Sequence, residues 1–179
     1  MNHKVFDCIT FFDENLLTNA RFEILNDVVD YFVICESNFD HKGNKKKINF
    51  ELKNLKFKNK IRHIIINNNF PEPTDGWKVE ELQREEIIKG LKDAENDDYI
   101  MYSDSDEIPN PKVIKNIELV EKFGIFLQNF YVYKLNIFNQ YETPWEGTRI
   151  TKKKILKKYN SLKKKNKIKK SIQTLLEIK

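Results

Sequence analysis

A chain of 179 residues that is 40% hydrophobic and 12% aromatic can bury one sizeable core and is too apolar to be disordered. Its net charge of +5 is unevenly spread: residues 151–179 hold twelve lysines against one glutamate, which leaves the chain up to Arg149 acidic, at −6. An acidic body offers no electrostatic track for nucleic acid, and two cysteines inside apolar runs, Cys8 and Cys35, do not make a disulfide framework.

The first predicted element is a strand over residues 5–12, followed by a helix that Asp13 would cap. Residues 31–35 and 61–66 read as further strands, separated by the polar loop FDHKGNKKK with Gly43 as its turn residue. Pro71, Pro73 and Gly76 break the chain before a second helix over 77–95, and a fourth strand follows at 99–102. All four strands are nearly continuous in apolar character, which suits a parallel sheet covered on both faces. GIFLQNFYVYKLNIFNQY reads as one or two longer strands, and NQYETPWEGTR as a surface loop. In the tail, Ile155, Leu156, Tyr159 and Leu162 stand at helical spacing among lysines, the pattern of a basic amphipathic helix. The expected architecture is therefore α/β with a mostly parallel central sheet over 1–150 and a lysine-rich helical tail over 151–179. The opening residues are too polar for a secretory signal and no apolar run approaches the roughly 20 residues of a membrane span. A cytoplasmic location is expected, with the tail suited to peripheral contact with anionic membrane.

Chemistry concentrates where strands end. In a parallel sheet ligands bind beyond the carboxyl ends of the strands, and the fourth strand runs into Ser103-Asp104-Ser105-Asp106-Glu107. Asp104 and Asp106, two apart on extended backbone, would face one side and suit Mn²⁺ or Mg²⁺, which take further ligands from water and substrate phosphates. The alternative is a solvated acidic turn capping the next helix. Arg21 falls within the stripe Leu17, Ile24, Leu25 and Val28, and Arg84 among Trp77, Ile88 and Leu91. A guanidinium on a core-facing stripe needs a carboxylate or a phosphate; Glu36 is the expected partner of Arg21, and structural salt bridges or snorkelling side chains are the other reading. Tyr141, Pro144, Trp145 and Gly147, with Glu142 and Glu146, read either as an aromatic platform for sugar rings beside a general base or as a loop covering the core edge.

The strings FDCITFFDENLLTNARFEIL, VDYFVICESNFDHKGNKKKINF, LQREEIIKGL and YIMYSDSDEIPNP, in that order, resemble glycosyltransferase family 17, the β-1,4-mannosyl-glycoprotein 4-β-N-acetylglucosaminyltransferases and their relatives. The resemblance runs from about Val5 to Gly147, and the C-terminal third of the family pattern is expected to be missing, with the lysine-rich tail in its place. It implies a GT-A-like, Rossmann-like domain that binds nucleotide-diphospho-sugars, a divalent metal, a UDP-sugar donor and inversion at the anomeric carbon. Asp104 and Asp106 match the family's D-x-D pair, Glu107 stands beside them, and Arg21, Glu36, Gly43 and Arg84 match motif positions. The expected function is metal-dependent transfer of a sugar, N-acetylglucosamine by the family's habit, from a UDP-sugar to a glycan or lipid-linked sugar acceptor. Glu107, Glu142 or Glu146 would be the base. The competing expectation is a degenerate nucleotide-sugar-binding or protein-interaction module, and a nucleic-acid-associated metal phosphotransferase ranks behind both.

Overall fold

The computed structural model describes residues 3–40, 42–67, 76–133 and 136–156, with Val79 the one side chain described among residues 76–80. These residues form six strands, β1 (Val5–Phe11), β2 (Tyr31–Ser37), β3 (Ile61–Ile66), β4 (Tyr99–Ser103), β5 (Phe123–Gln128) and β6 (Trp145–Lys152), and three α-helices, α1 (Asn15–Leu25), α2 (Gly76–Glu86) and α3 (Pro111–Lys115). The strands make one sheet in the order β3-β2-β1-β4-β6-β5. β1 to β4 run parallel, β6 pairs antiparallel with β4, and β5 pairs antiparallel with β6. The mostly parallel α/β sheet is the one expected.

Both faces of the central strands are buried, which is why their sequences are continuously apolar. On one face Val5, Ile9, Phe11, Phe32, Ile34 and Met101 pack with Phe22 and Leu25 of α1. On the other, Phe6, Cys8, Val33, Cys35, Ile100 and Tyr102 pack with Val79 of α2 and with Ile87 and Leu91 of the 3₁₀ turns that continue it. Burial pushes the Cys35 thiol up to about 12, and its Sγ donates to the Gln83 carbonyl, so both cysteines behave as small core residues. Among the described residues no helix is long and apolar enough to cross a membrane.

The chain winds outward from β1 through β2 to β3, then crosses back to place β4 on the other side of β1. The carboxyl ends of β1 and β4 therefore flank a topological switch point, where the connections diverge and leave a crevice. That is the position of the acidic turn.

Several local expectations change. α1 turns Thr18, Arg21, Phe22 and Leu25 inward, while Ile24 is exposed, so the expected stripe is rotated around the helix. Glu14 takes the N-cap position in place of Asp13, and its carboxylate accepts from the Phe12 and Asp13 backbone N–H groups. Residues 145–147 belong to a strand, not to a surface loop. Gly147 lies where the Gln128 side chain of the neighbouring strand crosses, a space that a Cβ would fill. β6 also runs across the expected boundary at 150: Thr151 is fully buried and Leu156 joins the core beside α2. The expected tail helix from residue 157 onward lies outside the described residues.

Candidate active site

β4 stops at Ser103, and the next four residues turn back on themselves. Glu107 N–H donates to the Asp104 carbonyl at 3.2 Å and Ile108 N–H to the Asp106 carbonyl at 3.1 Å. Asp104 and Asp106 thus share one side because of a turn, not through the alternation of extended backbone expected for them. The turn does not cap the following helix: Asn110 does, accepting from the Lys112 N–H. That removes the capping explanation for the acidic cluster.

Two clefts meet at this turn. One, of about 320 Å³, lies at the switch point between Thr10, Phe11 and Phe12 at the end of β1 and Asp104, Ser105 and Asp106 after β4, with Gln83 beneath. The other, of about 400 Å³, is lined by Asp104, Asp106 and Glu107, by Phe130, Tyr131, Tyr133 and Trp145, and by Gln128 and Asn129. Asp104 and Asp106 line both, and Leu17 of α1 forms part of each wall.

Glu107 is anchored on both oxygens. Trp145 Nε1 donates to its Oε1 at 2.8 Å, and Asp104 N–H to its Oε2 at 3.2 Å. Burial pushes its carboxyl above the usual range, with Asp104 adding to the rise and Trp145 opposing it. Trp145 also stacks on Phe130, centroids 5.0 Å apart. Glu142 and Glu146 are exposed and line neither cleft, because Glu142 sits in the turn before β6 and Glu146 points outward from the strand.

The expected cofactor-binding residues separate. Arg84 is buried and reaches the site: its Nε donates to the Tyr102 hydroxyl at 2.6 Å and its Nη2 stands 3.8 Å from Asp104 Oδ1. Arg21 is fully buried, but its partner is Asp7, not Glu36. Asp7 lies on β1 in phase with Val5, Ile9 and Phe11, so it faces α1, whereas Glu36 sits on the neighbouring strand. Glu36 instead holds the loop after β2. It accepts from Lys46 Nζ, Asn49 N–H and Phe50 N–H, and meets His63 Nε2 at 3.1 Å. Gly43 adopts φ 83° in that loop, a conformation that favours glycine, while the Asp40 carboxylate accepts from the Lys42 and Asn44 N–H groups. Its place is set by the turn.

Sequence reasoning missed Asp7, Ser103, Thr148 and Gln128. Thr148 Oγ1 donates to the Glu107 carbonyl at 2.7 Å, and Gln128 Nε2 to the Ile108 carbonyl at 2.6 Å, so β5 and β6 both brace the acidic turn. Strand alternation signals Asp7; nothing local signals the others.

A hard divalent cation that keeps its waters and takes phosphate oxygens needs only one or two protein carboxylates. Half-exposed Asp104 and exposed Asp106, at the rim of both clefts, fit such a cation. Among the described residues no three His, Cys, Asp or Glu side chains converge on one point, so the remaining ligands would come from water and substrate.

The sequence profile of glycosyltransferase family 17 matches residues 1–171. This chain belongs to that family. The match runs past Gly147, where the resemblance was expected to end. The β-1,4-mannosyl-glycoprotein 4-β-N-acetylglucosaminyltransferases of Rattus norvegicus and Homo sapiens are each 32% identical to this family 17 chain over 117 residues, 59% of the chain and 22% of the relative. The aligned part therefore spans about a fifth of the length of these curated relatives.

Proposed function

We propose that this family 17 chain is a metal-dependent, inverting glycosyltransferase that moves N-acetylglucosamine from a UDP-sugar to a hydroxyl of a glycan or lipid-linked sugar. The observation that carries this reading is the meeting of two clefts at Asp104 and Asp106, beside a topological switch point. One cleft would take the nucleotide, in the manner of a GT-A domain, and the other the acceptor. When bound, Mn²⁺ or Mg²⁺ would neutralise the charge that develops on the departing diphosphate. Asp104 and Asp106 would hold that cation, and Arg84, 3.8 Å from Asp104 Oδ1, would add positive charge beside it. The acceptor sugar lies against Trp145 and Tyr133, whose apolar faces match the C–H faces of a sugar ring.

Inversion requires one displacement. The acceptor oxygen forms its bond to the anomeric carbon as the bond from that carbon to the phosphate oxygen breaks, and the acceptor proton passes to a carboxylate. Of Glu107, Glu142 and Glu146, Glu107 alone lines the cleft. A raised pKa makes it a better base, and each of its oxygens keeps a second lone pair beyond its present hydrogen bond. The lysine-rich tail would bring the enzyme to anionic membrane from the cytoplasm. Engagement of both Glu107 oxygens favours a second reading, a nucleotide-sugar binder without turnover.

A panel of nucleotide sugars, assayed with and without Mn²⁺ and with glycan acceptors, separates the two. Metal-dependent UDP release coupled to acceptor is the expected result. Metal-dependent binding without release would leave the binder, and no interaction with any nucleotide sugar would reject both.

A further inference from the structure

The acidic turn rests on a charge pair that reaches neither cleft. Arg21 is fully buried and Asp7 is 1% exposed, and neither lines the cavities where substrate would sit. Arg21 Nε and Nη2 donate to the two Asp7 oxygens at 2.7 and 2.8 Å, which fixes the plane of the guanidinium. Its remaining N–H groups point at the end of β4. Nη2 donates to Ser103 Oγ at 2.6 Å and Nη1 to the Glu107 carbonyl at 2.9 Å, with the Asp104 and Ser105 carbonyls at 3.4 and 3.5 Å. Three carbonyls from four consecutive residues converge on one nitrogen. A planar, forked cation can serve a carboxylate on one edge and a turn on the other, whereas a lysine ammonium lacks the fork. Packing alone does not demand the pair, since well-packed apolar residues commonly replace a buried ion pair without loss of stability.

We propose that Asp7 and Arg21 are positioning residues: they fix the backbone of residues 104–107 so that Asp104 and Asp106 present their carboxylates together to a divalent cation and a nucleoside diphosphate. This rests on the reading of those two aspartates given above. The pair touches no ligand and acts through the turn. The same turn carries Glu107 and, through its bond to Trp145, one wall of the larger cleft.

Arg21→Lys keeps a charge opposite Asp7 but gives up the fork. The chain has two tryptophans, so in a Trp77→Phe background Trp145 emission reports the turn through Glu107 without any ligand. Arg21→Lys should melt cooperatively, shift that emission and weaken Mn²⁺-dependent UDP binding roughly 10- to 100-fold in titration calorimetry. Asp7→Leu/Arg21→Met replaces the pair by apolar groups and should show the same loss; it decides the matter if Arg21→Lys does not fold. Arg62, at the start of β3, pairs its guanidinium with Asp93, and Arg62→Lys is the control for simple destabilisation that should leave emission and affinity alone. A folded Arg21→Lys or double variant with unchanged emission and affinity would overturn the proposal. Failure of the wild type to bind UDP with Mn²⁺ would reject the proposed function instead. Trp145 emission then decides the positioning role: a shift in the variants supports it, and no shift overturns it.

Discussion

Trp145 Nε1 donates to Glu107 Oε1 at 2.8 Å and so ties strand β6 to the acidic turn that follows β4. Replacing Trp145 with Phe removes this bond while keeping an aromatic ring against Phe130. The expected loss is about 1 kcal/mol of stability, the usual worth of a hydrogen bond, with the acceptor KM raised more than the donor KM. Chemical denaturation and two-substrate kinetics measure the two effects; a raised donor KM alone would place the sugar elsewhere.

UDP should stabilise the protein only when Mn²⁺ or Mg²⁺ is present. At 100 times its dissociation constant a ligand adds about 2.7 kcal/mol, which a melting curve resolves readily. Stabilisation by UDP without metal would remove the cation from the site.

Asp104→Asn and Asp106→Asn should each abolish Mn²⁺-dependent UDP binding. Ligand-free stability should hold or rise for Asp106→Asn, because the change relieves repulsion between neighbouring carboxylates. Asp104→Asn also loses its partly exposed pair with Arg84, a surface-type interaction worth about 0–1 kcal/mol, so the two variants should separate slightly in melting temperature. Titration calorimetry gives the decisive number, and undiminished affinity in both would sink the mechanism.

His63 provides a pH signature distant from the acidic turn. Burial holds its pKa below the ordinary value of 6.5, although Glu36 beside it pulls the other way and Lys46 adds to the depression. Below that ordinary value the unfolded chain takes up a proton that the folded His63 refuses, so this residue makes stability fall as pH drops from about 6.5 towards the folded pKa and adds nothing above it. His63→Phe should flatten that part of the wild-type profile, read as the difference between two denaturation series across pH 5 to 8. Parallel profiles would mean that His63 titrates normally.

Truncation should depend sharply on where it falls. Ending the chain at residue 150 removes Thr151, whose Oγ1 donates to the Lys122 carbonyl, the Lys153 N–H bond to the Asp98 carbonyl, and Leu156 from the core. That product should be insoluble or unfolded. Ending it after residue 156 should leave a folded domain that no longer binds anionic vesicles, since each lysine near such a surface contributes on the order of 1 kcal/mol. Vesicle binding by the longer truncation would locate any membrane contact within the domain.

The sequence by itself determined the sheet's parallel half and the position of the acidic turn at its carboxyl edge. Continuous runs such as YFVIC and YIMY can be satisfied only by burial on both faces, and a carboxylate cluster at the end of one of them has few places to be except a strand's carboxyl edge. It also put Arg21 and Arg84 inward, because helical spacing is a local property. Tertiary structure decided the partners. Whether Arg21 meets Asp7 or Glu36 depends on which strand α1 covers and in what register, and no local rule supplies that. Nor could WEGTR be read as a strand, since Gly147 looks like a turn residue until the Gln128 side chain crosses it from β5. The acidic string was legible as chemistry, but its shape was not: a guanidinium from α1, a hydroxyl from β6 and an amide from β5, each far away in the chain, hold its carbonyls in place. Periodicity is written residue by residue, whereas a buried polar group is satisfied by whatever the fold brings to it.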